Sequence, residues 1–326
     1  MKRILLALFA LTLLAVPVRA AAEYTFTIAN HIADEAVESR CFYFLADQVK
    51  ERSGGRLQIN VSTAAALGGQ REIIEAVNFG AIEMGMGEGA LYSNYHKAFG
   101  VMSLPFIHPS GEKYAAAVDG KVGERLTKLL EEHTNMTILA WLDGVRTRDV
   151  YTLNPIENLE AMKGLKIRTP QSPVYVATFR AFGANPTPIS APEMYTALQQ
   201  GVVGGMEGTT ETAVTYGISE LAKNCLETHH IYNETSVVIN RDAFNELPDD
   251  LQKILKECAY EMVKLNRKES GLAGDRYKQQ MLGTGVKFYP IDLAKAKEMV
   301  EPVYKEYIGG DAVSQEIFDL LMEVQK

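Results

Sequence analysis

Two arginines of this 326-residue chain sit where a fold could grip an anion. Arg168 ends the run Gly164-Leu165-Lys166-Ile167-Arg168, which reads as a short strand from Leu165 to Arg168, stopped by Pro170 because proline cannot donate to a sheet ladder. The side chain then lies at the strand's carboxyl end, where open α/β sheets hold ligands. Two readings are open to it. It pairs with a surface carboxylate, an interaction worth roughly 0–1 kcal/mol. Or its planar fork holds a ligand carboxylate through two parallel charge-assisted hydrogen bonds. Arg146, after Asp143-Gly144-Val145, rates on its own only as a solvated side chain.

The remaining polar candidates lie in loops. His31 and Asp34 follow a first strand, Gly68-Gly69-Gln70 a second, and Gly87-Glu88-Gly89 a third. The plainer reading makes the glycines turn formers and His31 a satisfied surface histidine. Glu211, on a helical segment from Thr209 to Leu221, is within reach of a cleft. The run Gly85 to Ala90 fits a dinucleotide fingerprint only loosely, with no acidic residue at the required distance. His229 and His230 are adjacent, point differently and make a poor metal pair. No Gly-x-Ser-x-Gly elbow, His-Glu-x-x-His motif or phosphate loop occurs. Catalysis has little to work with.

The elements that must position these groups follow from periodicity. Tyr24–Ala29, Leu57–Val61 and Ile82–Met86 read as strands, separated by helices that carry Val37, Cys41, Phe44, Leu45 and Val49, and then residues 70–79. A β-α-β-α-β opening predicts a parallel sheet. A long amphipathic helix is expected over 112–132 and a strand over 136–142, running into Asp143-Gly144-Val145-Arg146. Thr235–Ile239 reads as a strand returning to the first sheet. Pro248-Asp249-Asp250 starts a helix that can run past Gly271 and Gly274 to Met281, more than ~40 Å at ~1.5 Å per residue. A last strand at 286–288 and two helices complete the chain.

Bulk properties narrow the partners. With 47% apolar and 23% charged residues the chain can bury a large core, and its length suits two lobes. Met1-Lys2-Arg3, the apolar run to Val18 and Val18-Arg19-Ala20 have the plan of an export signal, expected over residues 1–22. Removing residues 1–20 takes away Lys2, Arg3 and Arg19, leaving 30 of 33 basic residues against 41 acidic ones, a net charge of −11. No basic patch is present, so nucleic acid is not an expected partner. An acidic protein that binds an anion must supply positive charge locally, against its own field. Cys41, Cys225 and Cys258 leave an odd thiol whatever pairs, and read mainly as packing residues.

Several short motifs in order carry a family likeness: Met162-Lys163-Gly164-Leu165-Lys166-Ile167-Arg168-Thr169-Pro170, then Gly183-Ala184-Asn185-Pro186-Thr187-Pro188, then Glu193-Met194-Tyr195-Thr196-Ala197-Leu198-Gln199 and Gly201-Val202-Val203-Gly204-Gly205-Met206-Glu207-Gly208. The chain resembles the DctP-type substrate-binding proteins of TRAP (tripartite ATP-independent periplasmic) transporters. The resemblance implies an α/β, two-lobed periplasmic binding protein fold with two mixed sheets flanked by helices and a long helix bracing both lobes. Lobe I is expected at 23–144 with 234–272 returning to it, and lobe II at 145–233 with 273–326.

It further implies a periplasmic protein that captures an organic carboxylate in the interlobe cleft and delivers it to membrane permease subunits, without a cofactor and as a monomer. Arg168 is the expected carboxylate clamp, with Arg146 auxiliary because residues 143–146 match the family's Gly-x-Arg turn between the lobes. Glu88 and Glu211 are placed at the ligand's distal end, and His31, Tyr175, Ala191 and Gly208 around it. Ala191, Gly208 and Leu91 stand where better-known sugar-acid binders carry bulkier or more polar residues. A larger, less polar pocket would suit a bulky or aromatic carboxylate, unless Tyr175, Tyr216 or Trp141 refills it. Sugar acids and C4-dicarboxylates are the alternative ligands; a secreted enzyme or a chemoreceptor-type sensor is the alternative class.

Overall fold

The structure, a computed structural model, describes residues 21–326. Residues 1–20, which hold most of the expected export signal, lie outside the described residues.

The chain opens as its periodicity dictates. β1 (Tyr24–Ala29), α1 (Val37–Arg52), β2 (Leu57–Ser62), α2 (Gln70–Asn78) and β3 (Met84–Gly87) form β-α-β units, with β2 and β3 both parallel to β1. A one-turn helix, α3 (Gly89–Tyr92), follows Glu88. The expected long helix over 112–132 is two helices, α4 (Gly111–Val118) and α5 (Lys121–His133). Gly120 and Gly123 separate them: a Cβ at Gly123 would collide with the Val118 carbonyl at the end of α4.

β4 (Met136–Thr147) runs straight through the segment expected to be a turn. Gly144 adopts φ +79° there, and a Cβ at this position would overlap the Tyr114 ring, so the strand stays continuous only with glycine. One residue later β5 (Asp149–Thr152) enters a second sheet with β6 (Lys166–Thr169), β7 (Asn185–Pro188) and β8 (Gly205–Gly208). Between them lie α6 (Pro173–Ala181) and α7 (Met194–Gln199), and after them α8 (Thr210–Thr215), α9 (Ile218–Leu221) and β9 (Asn224–Glu227). β10 (Tyr232–Asn240) returns to the first sheet, antiparallel to both β3 and β4. The first sheet is therefore ordered β2-β1-β3-β10-β4, and both sheets are mixed.

α10 (Arg241–Glu246) leads into α11 (Asp249–Gly283), a single helix of 35 residues. It packs on α1 and β4 at one end and reaches α8 near the other, where Met281 joins the core of the second sheet. The two internal glycines do not break it. Leu251, Leu255 and Met262 are fully buried, each worth about 1.5–3 kcal/mol. That outweighs a penalty of roughly 1 kcal/mol per glycine.

β11 (Lys287–Pro290) completes the second sheet beside β9. The segment 273–326, expected to return to the second lobe, packs on elements of both halves of the chain. α12 (Leu293–Ile308) packs on α6, but α13 (Ala312–Gln325) packs on α4 and α5 of the first lobe, inserting Ile317 and Leu321 into a shared core. Among the described residues no helix is long and apolar enough to cross a membrane. The three cysteines are buried and free.

Candidate functional site

The two sheets are joined by a pair of neighbouring crossings, β4–β5 going out and β9–β10 coming back. At the middle of this hinge the Arg148 N–H donates to the Ile231 carbonyl (2.9 Å) and the His230 N–H to the Arg148 carbonyl (3.2 Å). The cleft between the lobes holds a cavity of about 80 Å³, small because the lobes touch across it. Tyr216 Oη donates to the His31 carbonyl (2.8 Å), Ser172 Oγ to the Ala90 carbonyl (2.8 Å) and Asn94 Nδ2 to the Gln171 carbonyl (3.3 Å).

Arg168 reaches this cavity from β6, whose parallel pairing with β8 sets it beside Met206. Its Nε donates to the Ile189 carbonyl at 2.8 Å, which fixes the plane of the guanidinium. The side chain is buried, yet among the described residues it forms no ion pair with any Asp or Glu. Burial, aided by the charge of Arg148 and opposed by Glu207 and Glu88, lowers its pKa to about 10, so it remains a cation at neutral pH. Two further wall groups are buried without a hydrogen-bond partner, His31 Nδ1 and Thr235 Oγ1. Burial first, then the nearby Arg168 and Arg148, push His31 down to about 3, so the ring is neutral. His31 is thus a buried cavity residue and not the surface histidine of the plainer reading.

The residue that sequence reasoning missed is Arg148. Its Nε and Nη2 donate in parallel to the two oxygens of Glu207, both at 2.7 Å. Nη1 donates to Glu88 Oε1 (3.0 Å) and Asn233 Oδ1 (2.8 Å), and the guanidinium lies over the Tyr175 ring. Burial alone would raise the Glu207 pKa; Arg148, together with His230 3.3 Å away, holds it down to about 2. Glu88 is raised, chiefly by burial and by Glu207, against the pull of Arg148 and Arg168. Tyr175 Oη donates to Glu88 at 3.3 Å, and Gln70, with its amide oriented to suit both partners, donates to the other Glu88 oxygen at 3.3 Å. The available signal was alternation: two residues after Arg146 on extended chain, a second arginine shares its face.

Arg146 lines the cavity but is engaged by two carboxylates, Glu38 from the start of α1 and Glu211 from α8. The Val37 N–H also donates to Glu211 at 3.2 Å, so this cluster ties the two lobes together. Its charge is spoken for by acids, which argues against the auxiliary anion contact expected of it. Glu88, Glu211, His31 and Ala191 all line the cavity, with Leu91. Tyr175 and Gly208 do not: Tyr175 is fully buried beneath Arg148, and Gly208 faces Met206 and Thr212. Tyr216 does line it and takes up space, while Trp141 lies by Val118 and Gly123, away from the cleft. Among the described residues no group of three or more His, Cys, Asp or Glu side chains could hold a metal ion.

The geometry can be compared with known proteins. The family described as bacterial extracellular solute-binding protein, family 7 (DctP), matches residues 29–310. The 2,3-diketo-L-gulonate-binding periplasmic protein YiaO of Escherichia coli is 31% identical over 223 residues, 68% of this chain and 67% of that protein. The sialic acid-binding periplasmic protein SiaP of Vibrio cholerae is 25% identical over 284 residues, 86% of this chain and 88% of that one. Among solved structures, a TRAP periplasmic solute-binding protein from Sulfitobacter with bound β-D-galacturonate superposes with a TM-score of 0.88 at 25% identity, covering 92% of this chain and 99% of that one. One from Roseobacter denitrificans with bound β-D-glucuronate gives a TM-score of 0.87, also at 25% identity, over 91% and 98%. With two mixed sheets, a cleft between two lobes and a family match spanning most of its length, the chain belongs to the DctP family of extracellular solute-binding proteins of TRAP transporters.

Proposed function

We propose that the protein captures a small organic carboxylate in the periplasm and hands it to membrane permease subunits, with Arg168 as the carboxylate clamp. The observation that carries this is the buried Arg168 cation, held by Ile189 at Nε and, among the described residues, without an acidic ion-pair partner, on the wall of the cleft cavity. Burying a lone charge is expensive unless a counter-ion arrives. A carboxylate accepting two parallel bonds from the guanidinium would supply it. The relatives' ligands, uronates, sialic acid and a diketogulonate, are themselves carboxylates.

The lobes would hinge at the paired crossings around Arg148, opening the Tyr216–His31 and Ser172–Ala90 contacts to admit the solute and closing to exclude water. With Tyr216 on the cavity wall and Gly208 off it, a compact carboxylate is a better reading than a bulky aromatic one. The protein is read as a binder that returns its ligand unchanged, and product analysis after incubation checks this. The decisive experiment is to denature the purified protein, identify the released small molecule by mass spectrometry and titrate it back. A neutral or cationic solute lacking any carboxylate would overturn the assignment.

A further inference from the structure

The charges around the cavity are not spread evenly. They form a positive pole and a negative pole. Among the described residues Arg168, on the wall built by β6, forms no ion pair with an acid. Elsewhere on the wall, Arg146 faces two carboxylates at once, Glu38 and Glu211, so that cluster carries more negative than positive charge. Arg148 sits between Glu207, held ionised, and Glu88, whose carboxyl burial favours in its neutral form; both Glu88 oxygens are already engaged by Arg148, Tyr175 and Gln70. Among the described contacts, with Glu88 neutral the three arginines balance Glu207, Glu38 and Glu211, and a plain anion would leave one unmatched negative charge in a closed cleft. With Glu88 ionised it would leave two. Either way, a buried excess of like charge disfavours binding.

From this arrangement we propose that the solute is a zwitterion: a carboxylate on Arg168 and a protonated amine held by the Glu38–Glu211 pair. This rests on the carboxylate reading of Arg168. Each ionised carboxylate oxygen has two acceptor positions, so the bonds that Glu211 accepts from Val37 and Arg146 leave room for an ammonium donor. The Glu38 and Glu211 carboxylates come from opposite lobes, so an amine bridging them would bind only the closed form.

The test uses the wild-type protein, exported and freed of endogenous solute by unfolding and refolding, with two pools of probes. One contains α-amino acids and betaines. The other contains the matching 2-hydroxy acids, the deaminated acids, D-glucuronate and D-galacturonate. Only the amine-bearing pool should raise the melting temperature. For the hit, calorimetry should show the amine form binding on the order of 10²-fold tighter than its hydroxy counterpart. Glu38→Gln should shrink that ratio towards one, a readout that general loosening of the fold would not move. A hydroxy acid or uronate binding as tightly as the amine form, with binding lost in Arg168→Met, would overturn the zwitterion while leaving the clamp standing. Binding that survives Arg168→Met would sink the clamp itself. No shift with either pool also counts against the zwitterion.

Discussion

Replacing Arg168 by methionine should destroy binding and at the same time make the empty protein more stable. The stem of the side chain is kept, so packing changes little, but the charge goes. In the ligand-free cleft that charge is a liability: burial brings its pKa from 12.5 to about 10. A difference of about 2.5 units corresponds to roughly 3 kcal/mol at 1.36 kcal/mol per unit. The sign follows from linkage. A base whose folded pKa is lowered holds its proton less well when folded, so at neutral pH, below both values, its charge opposes folding by the whole difference. Against this relief stands the lost bond to the Ile189 carbonyl, about 1 kcal/mol. The net expectation is a gain of about 2 kcal/mol, a few degrees in melting temperature. With ligand the balance reverses, because an anion in a shut cleft without its cation costs about 3–5 kcal/mol, or roughly 10²- to 10³-fold or more in affinity. Urea melts of the ligand-free proteins and calorimetry with the solute released from the wild type measure both effects. Retained affinity, or a methionine variant several degrees less stable than the parent, would refute the argument.

Three other substitutions probe the same cleft. Glu207→Gln removes half of a buried, doubly hydrogen-bonded pair and should destabilise by about 3–5 kcal/mol in urea. Because the Glu207 pKa is depressed to about 2, its stabilisation is present above about 4.5 and lost as pH falls towards 2, so the variant should show a flatter acid limb. His31, at about 3 against 6.5, is neutral when folded and protonated when unfolded over that interval. Stability should therefore fall as pH drops from 6.5, by about 2 kcal/mol at pH 5, and His31→Asn should remove this slope. Tyr216→Phe deletes one bond across the lobes, about 0.5–1.5 kcal/mol of the closed state, and should weaken binding about 2- to 10-fold, mainly through a faster off-rate in stopped-flow traces; an unchanged off-rate would place that contact outside the closing motion.

Much of the architecture was legible without coordinates because it rests on local rules. The spacing of Val37, Cys41, Leu45 and Val49 is a helix buried on one face, and Leu57 to Ser62 is a strand whatever surrounds it. Pro170 ends β6, and Leu251 through Met281 keep one face of the 35-residue α11 buried despite two glycines. The failures are equally local in origin. Residues 143–146 read as a turn through their match to a family Gly-x-Arg turn, and only the Tyr114 ring packed beneath shows why glycine is needed in a continuous strand. The helix over 112–132 looks unbroken until the Val118 carbonyl is seen against Gly123.

The site divides along the same line. The chain's own order determined two lobes, a cleft and Arg168 at a strand end beside it, since strand periodicity and a proline stop need no distant partner. Which arginine keeps its charge available was decided only by folding. Arg146 meets Glu38 across 108 residues of chain and Arg148 meets Glu207 across 59, while among the described residues no carboxylate forms an ion pair with Arg168. Charge neutralisation acts through space, over a few ångströms, between groups that the sequence lists far apart. No window of residues contains that information.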